Sequence, residues 1–140
     1  MTTAPFRPTI RTQADLADAW RQLMGDGGFG GHSVWMLWIV GDQPVPHITE
    51  MQESEQPITG RLLDNFVEIL GLLGAEHAQP ARVAFLISRP GNATVSSADR
   101  AWAHTLYGAS RDAGVACEVV HLATFDHVRP LPLDELDASC

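Results

Sequence analysis

The chain has 140 residues, a formal charge of -8, and nine arginines with no lysine. That length fits one domain able to bury about two-thirds of the surface its unfolded chain exposes, and a composition that is 45% hydrophobic and 19% charged excludes a disordered chain. The acidic balance disfavours nucleic acid and anionic membrane as partners, because both are held mainly by Lys and Arg. The lack of lysine excludes a Schiff-base lysine, a pyridoxal-phosphate anchor and a P-loop lysine.

Residues 1–11 contain Pro5 and Pro8 and no periodicity, and are expected to be a loosely held lead-in. They contain no apolar run of the kind a signal-peptide h-region has. The longest apolar run, Val34 to Val40, falls far short of the roughly 20 residues that cross a bilayer. Cys117 and Cys140 form no CxxC pair, so a reducing, cytoplasmic setting is expected. Thr12, with Asp15 three residues on, opens a helix whose Leu16, Trp20 and Leu23 share a stripe ending near Gly25. Gly25 to Gly31 then matches GxGxxG. A dinucleotide fingerprint follows a strand and opens a helix, whereas these glycines follow a helix and precede a strand, so they read as a flexible connector.

Val34 to Val40 reads as a central strand with both faces apolar. Gly41 to Pro44 is a turn, and Val45 to Met51 returns as a second strand that Pro46 confines to an edge. After an acidic loop, Gln52 to Pro57, a helix spans Arg61 to Leu73. Leu62, Phe66, Ile69, Leu70 and Leu73 recur there at three to four residue intervals, and Gly74 closes it.

The clearest unit is Ala81 to Gly114. Val83 to Ile87 is a short apolar, β-branched run that predicts a buried strand. Arg89-Pro90-Gly91-Asn92 is a turn. Ser96 caps the next helix by accepting from the N–H of Asp99, whose carboxylate sits in the positive first turn. Trp102, Leu106, Ala109 and Ala113 carry the apolar stripe, and Gly114 ends it. Val115 to Leu122 is read as one strand. Asp126 begins a short strand or extended tail through Val128 to Leu133, in which Pro130 and Pro132 forbid a helix, and residues 134–140 are an acidic end. The sum is a single α/β domain over residues 12–133, with a mixed sheet of antiparallel hairpin and parallel strands flanked by helices.

The element order and the spacing around Gly91, Ser96 and Asp99 resemble the JAB1/MPN superfamily of metal-dependent isopeptidases, especially its RadC-like branch, over about residues 34–124. In that family a buried strand ends in H-x-H-P-x-G and a loop leads to S-x-x-D. Aligning Gly91 with the motif glycine places Ser96 and Asp99 on S-x-x-D without a gap, and His121 lies near an Asp-His pair of the RadC-like branch. The resemblance puts Leu86 and Ser88 where two metal-binding histidines stand. Neither is a zinc ligand. The implied domain is therefore JAB1/MPN-like, three-layered and degenerate at the metal site, with no metal and no cofactor.

Other chemistry is sparse. The six histidines (32, 47, 77, 104, 121 and 127) form no HxH and no HExxH and read as surface residues. Asp99 alone is explained by capping. His47 and Glu50, three apart on a strand, point to opposite faces. Ser88 lacks the glycines of a nucleophile elbow, Cys117 reads as a small hydrophobe, and the four tryptophans read as core. The function expected is a non-catalytic interaction or scaffolding module with a protein partner or a second copy of itself. Its surfaces would be the Gly-rich connector with Phe29, the Val45 to Met51 edge around Ile48, or the Arg89 to Val95 loop. The alternatives are a metal-dependent hydrolase using Glu50, Asp99 and His121, a small-molecule enzyme near Ser88 and Arg89, and a small-ligand sensor.

Overall fold

A computed structural model describes residues 10, 12–24, 32–41, 43–52, 59–76, 81–91, 94–124 and 127–132. The elements run α1 (Gln13–Met24), β1 (Ser33–Val40), β2 (Gln43–Gln52), α2 (Gly60–Ala75), β3 (Ala81–Ser88), α3 (Ser97–Ala113), β4 (Ala116–Cys117), β5 (Val120–Ala123) and β6 (Val128–Leu131). They form an α/β domain on a mixed sheet in the order β2-β1-β3-β5-β6, with β4 also paired to β3. Among the described residues no helix is long and apolar enough to cross a membrane.

The layers follow from the two apolar runs. In β1 and β3 successive side chains alternate between faces, and because both faces are apolar each needs a helical cover. Val34, Met36 and Trp38 with Val83, Phe85 and Ile87 pack under Phe66 and Leu70 of α2 and Trp102, Leu106 and Ala109 of α3. Leu37 and Ile39 with Ala84 and Leu86 pack under Leu16, Ala19 and Trp20 of α1. The sheet thus lies between α2/α3 and α1. The first cluster also holds an edge-on pair, Phe66 and Phe85, with ring centroids 6.0 Å apart.

β1 runs antiparallel to both neighbours, with Val34 opposite Ile87 and Leu37 opposite Ile48. The hairpin turns at Gly41, whose φ is 62°, and β2 is an outer strand, as its prolines require. The stripe on α1 starts where the sequence places it: the N–H of Asp15 donates to Thr12 Oγ1 at 3.1 Å, and the N–H of Thr12 to Asp15 Oδ2 at 3.2 Å. The glycine-rich stretch 25–31 and His77 lie outside the described residues.

Three expectations are corrected. The segment expected as one strand, Val115 to Leu122, is two, because it breaks at Glu118 and Val119. The N–H of Glu118 donates to Val83 O at 2.9 Å and its carboxylate pairs with Arg82 at 2.9 Å. Two residues on, the N–H of Val120 donates to the Tyr107 hydroxyl at 2.9 Å rather than to the sheet. That hydroxyl donates in turn to Leu131 O at 2.8 Å, and burial pushes its pKa up to about 12, so it stays protonated and can donate. Secondly, α2 continues through Gly74 to Ala75. A Cβ on Gly74 would stand 3.2 Å from Val115 Cγ2, so this glycine allows close approach instead of ending the helix. Thirdly, Leu62 and Ile69 do not face the core with Phe66 and Leu70; they are 64% and 50% exposed.

Candidate functional site

The end of β3 is where strand, turn and helix start converge. The N–H of Arg89 donates to Ala123 O at 3.1 Å and so extends the pairing with β5 by one residue. Its side chain is buried and folds back over the turn, which Gly91 completes at a φ of 100°. Nε donates to Asp99 Oδ1 at 2.9 Å, and Nη2 to Asp99 Oδ2 at 2.8 Å. Nη1 donates to Pro90 O at 3.0 Å, and Nη2 donates also to Thr94 O at 2.7 Å. This is a two-pronged guanidinium–carboxylate pair, the geometry in which Arg holds a carboxylate most firmly.

Asp99 also belongs to a capping box. Its carboxylate accepts from the Ser96 N–H at 2.9 Å, and its own N–H donates to Ser96 Oγ at 3.1 Å. Burial pushes the carboxyl pKa up, but the Arg89 hydrogen bonds and charge, with the Ser96 N–H, outweigh it and hold the group below its ordinary value. The carboxylate is thus ionised with both oxygens engaged. It binds β3, the turn and α3 together.

Ser88 is buried, and by alternation with Leu86 it faces the α1 layer. Its hydroxyl accepts from Trp35 Nε1 at 2.9 Å and donates to Ser33 O at 3.5 Å. Leu86, the other position aligned with a metal-binding histidine, is fully buried in the α1-side cluster. Glu50 stands opposite Trp35 in the β1–β2 register.

His121 overturns its reading as a surface residue. It is fully buried, because all four residues of β5 are enclosed between β3 and β6, and by alternation with Ala123 it lies on the α1 face. Nδ1 donates to Val119 O at 2.9 Å, which leaves Nε2 as the unprotonated nitrogen. Among the described residues Nε2 has no hydrogen-bond partner, and neither have Trp20 Nε1 and Thr124 Oγ1. Burial pushes the His121 pKa down to about 4; the Val119 carbonyl opposes this and the charge of Arg21 adds to it. The ring is therefore neutral at pH 7. His32 is half-buried, and His104 and His127 are exposed.

The sheet consequently divides the sequence-derived candidates. Ser88 and His121 lie on the α1 side, whereas Asp99 lies at the start of α3 on the other. Among the described residues no group of three or more His, Cys, Asp or Glu is placed to hold a metal ion. Cys117 is no activated nucleophile either, since burial pushes its thiol up to about 11. A depression of about 280 Å³ opens at the opposite end of β3, lined by Gly71, Gly74, Ala81, Ala113, Gly114 and Val115 among others. Its lining is glycine, alanine and valine, with no titratable or nucleophilic side chain, and seven residues of strand, about 23 Å, separate Ala81 from Ser88.

Comparison with protein-family models, with curated proteins and with solved structures finds no match. Two features escaped the sequence reading: the partner that Asp99 takes, and a second apolar stripe on α2 that includes Leu72, 61% exposed. The signals were present. An Arg directly after a buried strand and ten residues before a capping Asp can fold back upon it, and Leu62, Ile69 and Leu72 carry a heptad spacing distinct from the Phe66 and Leu70 set.

Proposed function

We propose that this chain is a non-catalytic protein-interaction module that associates with copies of itself, built on a JAB1/MPN-like, RadC-like domain whose metal site is degenerate. The observation that carries the reading is the Arg89–Asp99 pair. The one acidic residue that the S-x-x-D match retains is spent on a buried guanidinium at 2.8 to 3.0 Å and on a helix cap. A carboxylate so engaged cannot ligate a metal without giving up its two-pronged pairing with the buried Arg89 guanidinium, which is costly. Leu86 and Ser88, at the histidine positions, supply no ligand to replace it. The acidic chain without lysine further supports protein, not nucleic acid, as the partner.

Elemental analysis after zinc loading and dialysis tests the degenerate-site half. No stoichiometric zinc is expected, and one firmly held ion per chain would favour the hydrolase instead. The mass of the chain in solution tests the self-association half. It should rise with concentration toward that of two chains.

A further inference from the structure

We infer that α2 is the face through which two copies meet, packed antiparallel about a two-fold axis that passes beside Asn65. This rests on the proposed self-association and gives it a location.

Leu62, Ile69 and Leu72 are 64%, 50% and 61% exposed, and they are the large apolar side chains most open to solvent among the described residues. At 3.6 residues per turn they share with exposed Asn65 a stripe spanning about 80° of arc. The spacing 62, 65, 69, 72 is the alternating three and four of a helix–helix seam. The core-facing side of α2 is a different one, with Phe66 and Leu70 buried and Leu63, Val67 and Leu73 partly so. A helix apolar on two sides has one side still to cover. The usual competing route to self-assembly is obstructed, because both outer strands carry proline: Pro44 and Pro46 in β2, and Pro130 in β6 with Pro132 directly after. Proline cannot donate to an added strand, so neither edge offers an uninterrupted ladder.

A second copy of α2 fits this stripe by its own pattern. With the two-fold beside Asn65, Leu62 of each copy faces Ile69 of the other, and the two Asn65 amides meet, where each can donate to and accept from its mate. A single polar Asn in an apolar seam fixes register and direction. In the same alignment Arg61 falls within about 3 Å, along the axis, of Glu68 of the second copy. Both are exposed and lie on one flank, so two complementary pairs form by symmetry. Leu72 reaches the start of the second helix at Thr59 and Gly60, where a Cβ on Gly60 would meet nothing within 4 Å. A contact one helix wide and 16 residues long, about 24 Å, is smaller than a standard interface of roughly 800 Å² per partner. The dimer is accordingly reversible, forming at micromolar to millimolar chain.

Sedimentation equilibrium of the full chain over that range, with Ile69→Glu, Arg61→Glu and the double exchange Arg61→Glu with Glu68→Arg, tests the assignment. Ile69→Glu should weaken the dimer at least about tenfold while leaving the melting temperature of the dilute monomer unchanged. Arg61→Glu should weaken it a few-fold, and the double exchange should restore it. Asn65→Cys in a Cys140→Ser background should form a disulfide-linked dimer under mild oxidation, and Asp112→Cys on α3 should not. This pair of variants decides the matter even where Ile69→Glu fails to fold. A wild-type chain that stays monomeric throughout overturns both this inference and the self-association reading. A dimer that keeps its affinity in Ile69→Glu and gives no Asn65→Cys cross-link overturns the α2 assignment alone. Loss of a co-purifying second protein on Ile69→Glu, with the wild type monomeric, would hand the stripe to a different partner and overturn it as well.

Discussion

α2 and α3 lie side by side on one face of the sheet, with 16 and 17 residues, yet they are specified in different ways. α3 is bounded by its own sequence. Ser96 and Asp99 form a reciprocal capping box, Gly114 exits in the left-handed conformation at a φ of 72°, and the N–H of Val115 reaches back to Ser110 O at 3.0 Å. Its outer positions, among them His104, Arg111 and Asp112, are exposed and polar. α2 lacks these side-chain and glycine end signals. Thr59 is extended but makes no side-chain cap, no acid stands in the first turn or base in the last, and the outer surface carries Leu62, Ile69 and Leu72. A helix without end signals depends on what it packs against. The difference separates a helix that holds the turn after β3 in place from one whose sequence suits it to contact.

The sharpest way to break that comparison is to remove the charge that anchors α3. Asp99→Asn keeps an oxygen for the cap but removes the carboxylate charge that pairs with the buried Arg89, and should cost about 3–5 kcal/mol in urea unfolding. Asp64→Asn, at an exposed position on α2, should stay within about 0.5 kcal/mol of the parent. Equal stability of the two variants would remove the distinction and free Asp99 for a functional role.

Acid separates the α3 anchor from the opposite layer. His121 has a folded pKa of about 4 against an ordinary 6.5, so between those values the unfolded chain binds more protons and stability falls as pH drops from 6.5 toward 4. The full effect is on the order of 3 kcal/mol. Asp99 is depressed below its ordinary 3.8, so its contribution is present above that value and is lost only as pH falls further. Urea midpoints measured across pH should therefore show two windows. His121→Leu should flatten the upper window and leave the lower one; a slope unchanged in this variant would assign the upper window to other groups.

Much of this architecture was legible because its causes are local. The Thr12–Asp15 and Ser96–Asp99 boxes connect residues three apart, and the apolar runs of β1 and β3 are continuous, so pattern alone identifies them. What escaped depends on distant residues. The break between β4 and β5 is set by Val83 and by the Tyr107 hydroxyl, and the burial of His121 requires β6 and α1 to close over it. On α2, periodicity shows two apolar stripes and cannot say which meets the sheet. For the candidate site, sequence identified Ser88, Asp99 and His121 but not that the sheet lies between them, since a strand end and a helix start adjacent in sequence can serve opposite faces.

Smaller effects test the ends of the two helices. Gly114→Ala forces a Cβ into the left-handed region and should cost about 1–2 kcal/mol, and Ser96→Ala should cost about 1 kcal/mol through the lost cap. The converse experiment on α2 is the most discriminating although its effect is the smallest. Thr59 already has cap-like dihedrals, φ -141° and ψ 171°, and is exposed, so a carboxylate there can reach the free N–H groups of the first turn without rebuilding the backbone. Thr59→Asp should therefore stabilise the chain by about 0.3–1 kcal/mol, more at low salt than at high, because the added charge acts on the helix dipole in open solvent. If the gain is absent at low salt, the start of α2 is already satisfied by other means, and its dependence on packing is less than the comparison with α3 implies.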